Sequence, residues 1–132
     1  MPAGFRFPRE RRLRKRREYL LVQGRGRRVG GKHFQFFVLR RAERPVASRQ
    51  VAVAAAARFG ITVTRKVGNA VVRNRIKRIV REGCRRAPHL FPAGTDLVIL
   101  ARPSAAQACL NDVASELADL ARRIGTGGGA PR

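Results

Sequence analysis

The sequence predicts an α+β fold, a two-layer sandwich of helices on a sheet. Three observations carry that expectation. An amphipathic segment runs from Asn69 to Ala87, an almost continuous apolar run from Asp96 to Arg102, and two earlier stretches are rich in aromatic and β-branched residues.

Taken in order, Arg16 to Gln23 is expected to form a short first helix, with Tyr19, Leu20 and Val22 as its apolar contacts and Gly24 as its stop. The Gly/Arg stretch after it has room for a brief strand. His33 to Arg41 and Phe59 to Arg65 read as strands. Between them, residues 45–57 hold the run VAVAAAA, read as part of a long hairpin connection that either lengthens a strand or forms a helical turn. Side chains at i and i+2 share one face of a sheet, so Phe59, Ile61 and Val63 fall opposite Thr62 and Thr64. In the preceding strand Phe34, Phe36 and Val38 likewise alternate with Gln35 and Phe37. One face is core. The other mixes Thr, Gln and an aromatic, which suits stacking and hydrogen bonding to single-stranded nucleic acid, although a solvated face with one exposed ring has the same composition.

In the segment from Asn69 to Ala87, Val72, Ile76, Ile79, Val80 and Gly83 recur at three- and four-residue intervals, the mark of an amphipathic helix closed by Pro88. Asn74, Lys77, Arg78, Arg81 and Arg85 form a second stripe, with Arg73 and Arg75 at its margins and Glu82 as its only acid. Like charges at i, i+4, such as Lys77/Arg81 and Arg81/Arg85, destabilise an isolated helix, so this face asks for an anionic partner. The Asp96 to Arg102 run suits a central strand buried on both faces. Ser104 with Gln107 has capping-box spacing and is expected to start a last helix packed through Leu110, Val113, Leu117, Leu120 and Ile124. The organisation is therefore a basic, flexible arm at 1–12, one RNA-binding domain at 13–124 and a disordered Gly-rich tail at 125–132.

Charge narrows the function. The 132 residues carry 30 Lys and Arg against 8 Asp and Glu, a formal charge of +22 that points to nucleic acid as partner. The distribution is polarised: residues 5–28 and 65–86 are strongly basic, whereas 104–121 hold acids and no base. No apolar run is long enough to span a membrane and no secretory leader is evident, so a cytoplasmic protein is expected. Cys84 and Cys109 are too few and too far apart for a disulfide framework or zinc cluster and read as small core residues. A self-sufficient nuclease would need a base or metal site, and no pair among Glu10, Glu18, Glu43, Glu82, Asp96, Asp112, Glu116 and Asp119 has metal-loop spacing, while His33 and His89 stand alone. No catalytic residue, metal site or protein-bound cofactor is expected.

Lys66 to Arg78 reads KVGNAVVRNRIKR, followed by IVRE, and here the chain closely resembles the protein subunit of bacterial ribonuclease P. RLRKRREY at 12–19, FGITVTRK at 59–66 and GTDLVILARP at 94–103 follow the same family order. The resemblance implies an α-β-β-β-α-β-α order with a four-stranded sheet and a left-handed strand-helix-strand crossover. It further implies a partner, the catalytic RNA subunit, which performs the hydrolysis that removes the 5′ leader of precursor tRNA, with Mg²⁺ in the holoenzyme held mainly by RNA. Arg65, Lys66, Asn69, Arg73, Asn74, Arg75, Lys77, Arg78 and Arg81 would lie at or near the catalytic RNA. Tyr19, Gln35, Phe37, Thr62 and Arg73 would meet the precursor tRNA leader. Gln23 departs from the family pattern, where a second aromatic usually stands one turn after Tyr19. The competing expectation is a structural RNA-binding protein of ribosomal type.

Overall fold

The computed structural model describes residues 12–13, 16–40, 57–87 and 90–124. Most of the N-terminal arm, most of the Ala-rich segment, the Gly-rich tail, Pro88 and His89 lie outside the described residues. Helix α1 (Arg16–Arg25) leads into β1 (Arg27–Gly30) and β2 (Phe34–Arg40), followed by β3 (Arg58–Thr62), α2 (Ala70–Arg86), β4 (Thr95–Ala101), a 3₁₀ turn (Pro103–Gln107) and α3 (Leu110–Ile124). The fold is α+β, with the four strands in the order β1-β2-β4-β3. β1/β2 and β2/β4 are antiparallel, whereas β3 and β4 are parallel and joined through α2.

β4 is central because its sequence leaves no other place for it. Leu97, Val98 and Ile99 are all sealed from solvent, so both faces of this strand must be covered. On one face Phe34, Phe36, Phe59, Leu97 and Ile99 pack against Ile76, Val80 and Cys84 of α2 and Val113, Leu117 and Leu120 of α3. On the other, Val98 and Leu39 meet Val22 and Leu13, with Tyr19, Leu21 and Phe37 packed around them. This second core is small. α1 covers only part of the face.

α2 matches its expected bounds: Asn69 caps it, its side chain accepting the Val72 N–H at 3.0 Å. Several boundaries differ from expectation. α1 passes through Gly24 and ends at Arg25, where the Gly26 N–H bonds the Val22 carbonyl at 2.7 Å. The space at Gly24 is open, but a side chain at Gly26 would run into the Val22 and Val38 carbonyls, so the close approach belongs to the later glycine. α3 starts at Leu110 rather than Ser104, because Pro103–Gln107 forms a 3₁₀ turn and the Ser104 hydroxyl is engaged by His33 Nδ1 at 3.0 Å. The true cap is the Asp112 carboxylate, which accepts the Cys109 N–H at 2.9 Å; that bond is the main reason its pKa lies below the ordinary value. Cys84 is buried as expected, but Cys109 is exposed at this helix start. Arg12 forms a parallel bridge to Phe59 and the Leu13 N–H bonds the Phe59 carbonyl at 2.8 Å, so the described fold already includes the last residue of the arm.

Gly83 is where α2 and α3 come closest: a Cβ there would lie 2.6 Å from Val113 Cγ1. Alanine would gain up to about 1 kcal/mol in helix propensity but force a packed interface apart at about 1 to 3 kcal/mol, so the clash wins. Gly83→Ala is expected to lower the melting temperature. Gly24→Ala, in open helical space, should raise it slightly. Thermal unfolding of the two variants checks the sign at each position.

Candidate nucleic-acid interface

The basic surface is built by the β3–α2 turn and the outward face of α2. Arg65 and Lys66 in the turn and Asn69, Asn74, Arg78 and Arg81 are exposed, while Arg73 and Lys77 are half-buried at the stripe's edges. Some of these side chains also have internal duties. Asn69 is occupied as the N-cap. Arg73 Nε donates to the Gly68 carbonyl at 3.2 Å, bracing the turn. Arg75 Nη2 donates to the Ala108 carbonyl at 2.7 Å and ties α2 to the chain entering α3.

Not every charge on α2 is equally available. Arg85 pairs with Glu82, and Arg86 Nε donates to the same carboxylate at 2.6 Å. These hydrogen bonds hold the Glu82 pKa down at about 2. A lowered carboxylate pKa stabilises the native state above the ordinary value of 4.5, and the contribution disappears as pH falls through about 2, so the pairing is intact at neutral pH. Arg78 and Arg81 stand outward, about one turn and one residue before Glu82. Val71, 75% exposed, lies on the same stripe by its spacing to Asn74, Arg78 and Arg81 and was missed in the sequence. Helical spacing already sets Val71 apart from the apolar face, and its exposure agrees.

The second surface is the sheet face that α1 half covers. The register arranges its residues in three cross-strand rows. Gln35, Leu100 and Thr62 form the first, Arg28, Phe37, Val98 and Gly60 the second, and Leu39, Asp96 and Arg58 the third. The third row is buried beneath α1. In the second, Phe37 is half-buried and the Arg28 guanidinium lies 5.9 Å from its ring centroid, within cation–π range. In the first, Gln35, Leu100 and Thr62 are all partly exposed, and Arg102 Nη2 donates to Gln35 Oε1 at 3.1 Å.

Tyr19 forms the wall of this half-open cleft. Its ring lies over Gly60, where a Cβ would come within 2.7 Å of it, and its hydroxyl accepts the Ile61 N–H at 3.2 Å. Burial raises the tyrosine pKa, partly offset by that hydrogen bond and by the charge of Arg81. Of the stripe, Arg81 therefore comes within electrostatic reach of Tyr19. The structure brings Tyr19, Gln35, Phe37 and Thr62 to one face of the sheet, and leaves Arg73 with α2 in the other layer.

The third row carries charges that sequence reasoning passed over. Arg58 Nε and Nη2 each donate at 3.0 Å to the two oxygens of Asp96, and Nη1 donates at 3.2 Å to Glu18 of α1. Asp96 is fully buried. Burial disfavours the Arg58 charge, but hydrogen bonding and attraction from Asp96 and Glu18 outweigh it and raise its pKa. Both strands showed a charge in the sequence; only the parallel register shows that they face each other.

Comparison with known proteins agrees with this geometry. The family model described as Ribonuclease P matches residues 7–125. The ribonuclease P protein component of Desulfovibrio desulfuricans is 42% identical over 120 residues, covering 89% of this chain and 85% of that one. The RNase P protein from Thermotoga maritima superposes with a TM-score of 0.69 at 30% identity, covering 86% and 97% of the two chains. The Staphylococcus aureus RNase P protein shares the fold with a TM-score of 0.71 at 24% identity, covering 88% and 96%. With a basic helix on one layer, a half-open sheet face on the other and this match along nearly its whole length, the chain belongs to the bacterial ribonuclease P protein family, the protein part of the endoribonuclease ribonucleoprotein that processes tRNA.

Proposed function

We propose that the exposed stripe of α2 docks on the catalytic RNA of ribonuclease P while the open rows of the sheet receive the 5′ leader of precursor tRNA. The observation that carries this division is the placement of the two surfaces in opposite layers of one domain, the stripe on α2 and the open rows beside α1. Arg65, Lys66, Asn74, Lys77, Arg78 and Arg81 supply the phosphate contacts; Asn69, Arg73 and Arg75 act mainly by fixing the turn and helix that present them. Phe37 and Leu100 offer apolar surface to leader bases, Gln35 and Thr62 offer hydrogen bonds, and Tyr19 bounds the cleft. The match over residues 7–125 favours this role over that of a structural RNA-binding protein.

On this reading the groups that break the phosphodiester bond belong to the RNA, and the protein works in the cytoplasm without a cofactor of its own. Mg²⁺ in the holoenzyme is held mainly by RNA. Among the described residues no group of three or more His, Cys, Asp or Glu side chains gathers to hold a metal. Among the described residues, too, no helix is long and apolar enough to cross a membrane.

Two outcomes test the division. Neutralised phosphates release counterions, so binding to the catalytic RNA should weaken steeply with salt. Arg78→Ala or Arg81→Ala should reduce the log–log slope by about one contact each, whereas Arg122 and Arg123, which share Asp119 on α3, should matter less. Salt titrations of the four variants make the comparison, and equal losses at all four would mean diffuse attraction. For the cleft, Phe37→Ala should cost about 1 to 3 kcal/mol in holoenzyme affinity for precursor tRNA and leave mature tRNA binding nearly unchanged. An unchanged precursor-to-mature ratio in a folded variant would remove the leader from this face.

A further inference from the structure

We infer that Glu18, Arg58 and Asp96 are positioning residues for the leader cleft: their buried ion network sets where the α1 wall stands relative to Phe37. This inference rests on the leader-cleft reading above. The network is directional, as is the Tyr19 hydroxyl on the Ile61 N–H, whereas the apolar contacts of α1 are not. Val22 is held on Val98 and Leu39 by apolar packing, which tolerates sliding and rotation. Arg58, by contrast, is clamped to the sheet by two parallel hydrogen bonds from its Nε and Nη2 to the fully buried Asp96. That fork leaves Nη1 as the donor to Glu18, so the position of the Glu18 carboxylate is dictated by a rigid group of the central strand.

Tyr19 follows Glu18 directly, and fixing one fixes the rotation of α1 at the other. Its ring is placed over Gly60, in the same cross-strand row as Val98 and Phe37. The distance between the Tyr19 wall and the Phe37 ring is thus set one row away, by charges that no leader base touches. Leu13 on the Phe59 carbonyl and the Tyr19 hydroxyl on the Ile61 N–H occupy the outer edge of β3, and both depend on α1 keeping this seat.

The test uses reconstituted holoenzyme. Asp96→Asn leaves the buried Arg58 with Glu18 alone as counter-charge and threatens the folded domain, so the informative variants are Glu18→Gln at the partly exposed end and Arg58→Lys, which keeps the charge and loses the fork. Melting temperature, affinity for the catalytic RNA, and affinities for precursor and mature tRNA are measured for each, with Phe37→Ala and the Glu18→Gln/Phe37→Ala pair alongside. Glu18→Gln should lower the precursor-to-mature affinity ratio by roughly threefold to tenfold. Its melting temperature and affinity for the catalytic RNA should change little, and the double variant should lose less than the product of the single losses. A merely structural role would lower stability and weaken both tRNAs alike, and that result overturns the inference. If Phe37→Ala collapses the ratio while Glu18→Gln and Arg58→Lys leave it intact, the cleft stands and the positioning role fails. If Phe37→Ala leaves the ratio unchanged, the cleft reading falls and takes the positioning role with it.

Discussion

β4 must be covered on both faces, and the rest of the molecule follows from how that demand is met. Leu97 and Ile99 look toward α2 and α3, which together seal their side of the sheet. Val98 and Asp96 look the other way, where, among the described residues, cover comes from Leu13 and α1, a ten-residue helix. Ten residues extend about 15 Å at the usual helical rise, too little to roof a four-stranded sheet. The helix is seated over the third row and reaches the Gly60 end of the second, leaving Gln35, Leu100, Thr62 and part of Phe37 accessible. Among the described residues the cleft is therefore what α1 leaves open, and its wall is placed by how firmly the short helix is held.

Electrostatics follows the same economy. With 8 acids against 30 bases, each carboxylate can do little to neutralise the whole. Those that the structure describes are spent on local tasks. Glu18 and Asp96 hold Arg58, Glu82 holds Arg85 and Arg86, Asp112 caps α3, Glu116 accepts the His33 N–H at 2.9 Å, and Asp119 lies against Arg122 and Arg123. Among the described residues no carboxylate pairs with the exposed middle of α2, so Arg78 and Arg81 direct their charge outward. Self-repulsion that weakens the isolated domain becomes binding energy when a polyanion arrives.

The fold was legible where one local pattern decided it. Helical spacing located α2 to within a residue at each end, the apolar run placed β4 at the centre, and strand alternation assigned Gln35, Phe37 and Thr62 to one face. It was not legible where a tertiary contact overrode the local signal. Ser104 and Gln107 have the spacing of a cap, yet burial of Ala105 and Ala108 and the Arg75 bond to the Ala108 carbonyl draw that segment into a 3₁₀ turn. Arg58 and Asp96 lie 38 residues apart and meet only through parallel pairing, which no sequence spacing encodes. Arg75 and Tyr19 illustrate a different gap: the motif marks them for RNA, and the coordinates add structural work that the motif is silent about.

The account centres on two faces that meet two RNAs separately, and side-chain footprinting of the reconstituted holoenzyme tests it most directly. Hydroxyl radicals label exposed aliphatic and aromatic side chains, and each surface has such a reporter: Val71 on the stripe of α2, and Phe37 and Leu100 on the open rows. The account predicts that Val71 is protected as soon as the catalytic RNA binds, and that Phe37 and Leu100 gain protection only when precursor tRNA, and not mature tRNA, is added. Protection of Phe37 and Leu100 by the catalytic RNA alone, or equally by both tRNAs, would contradict it.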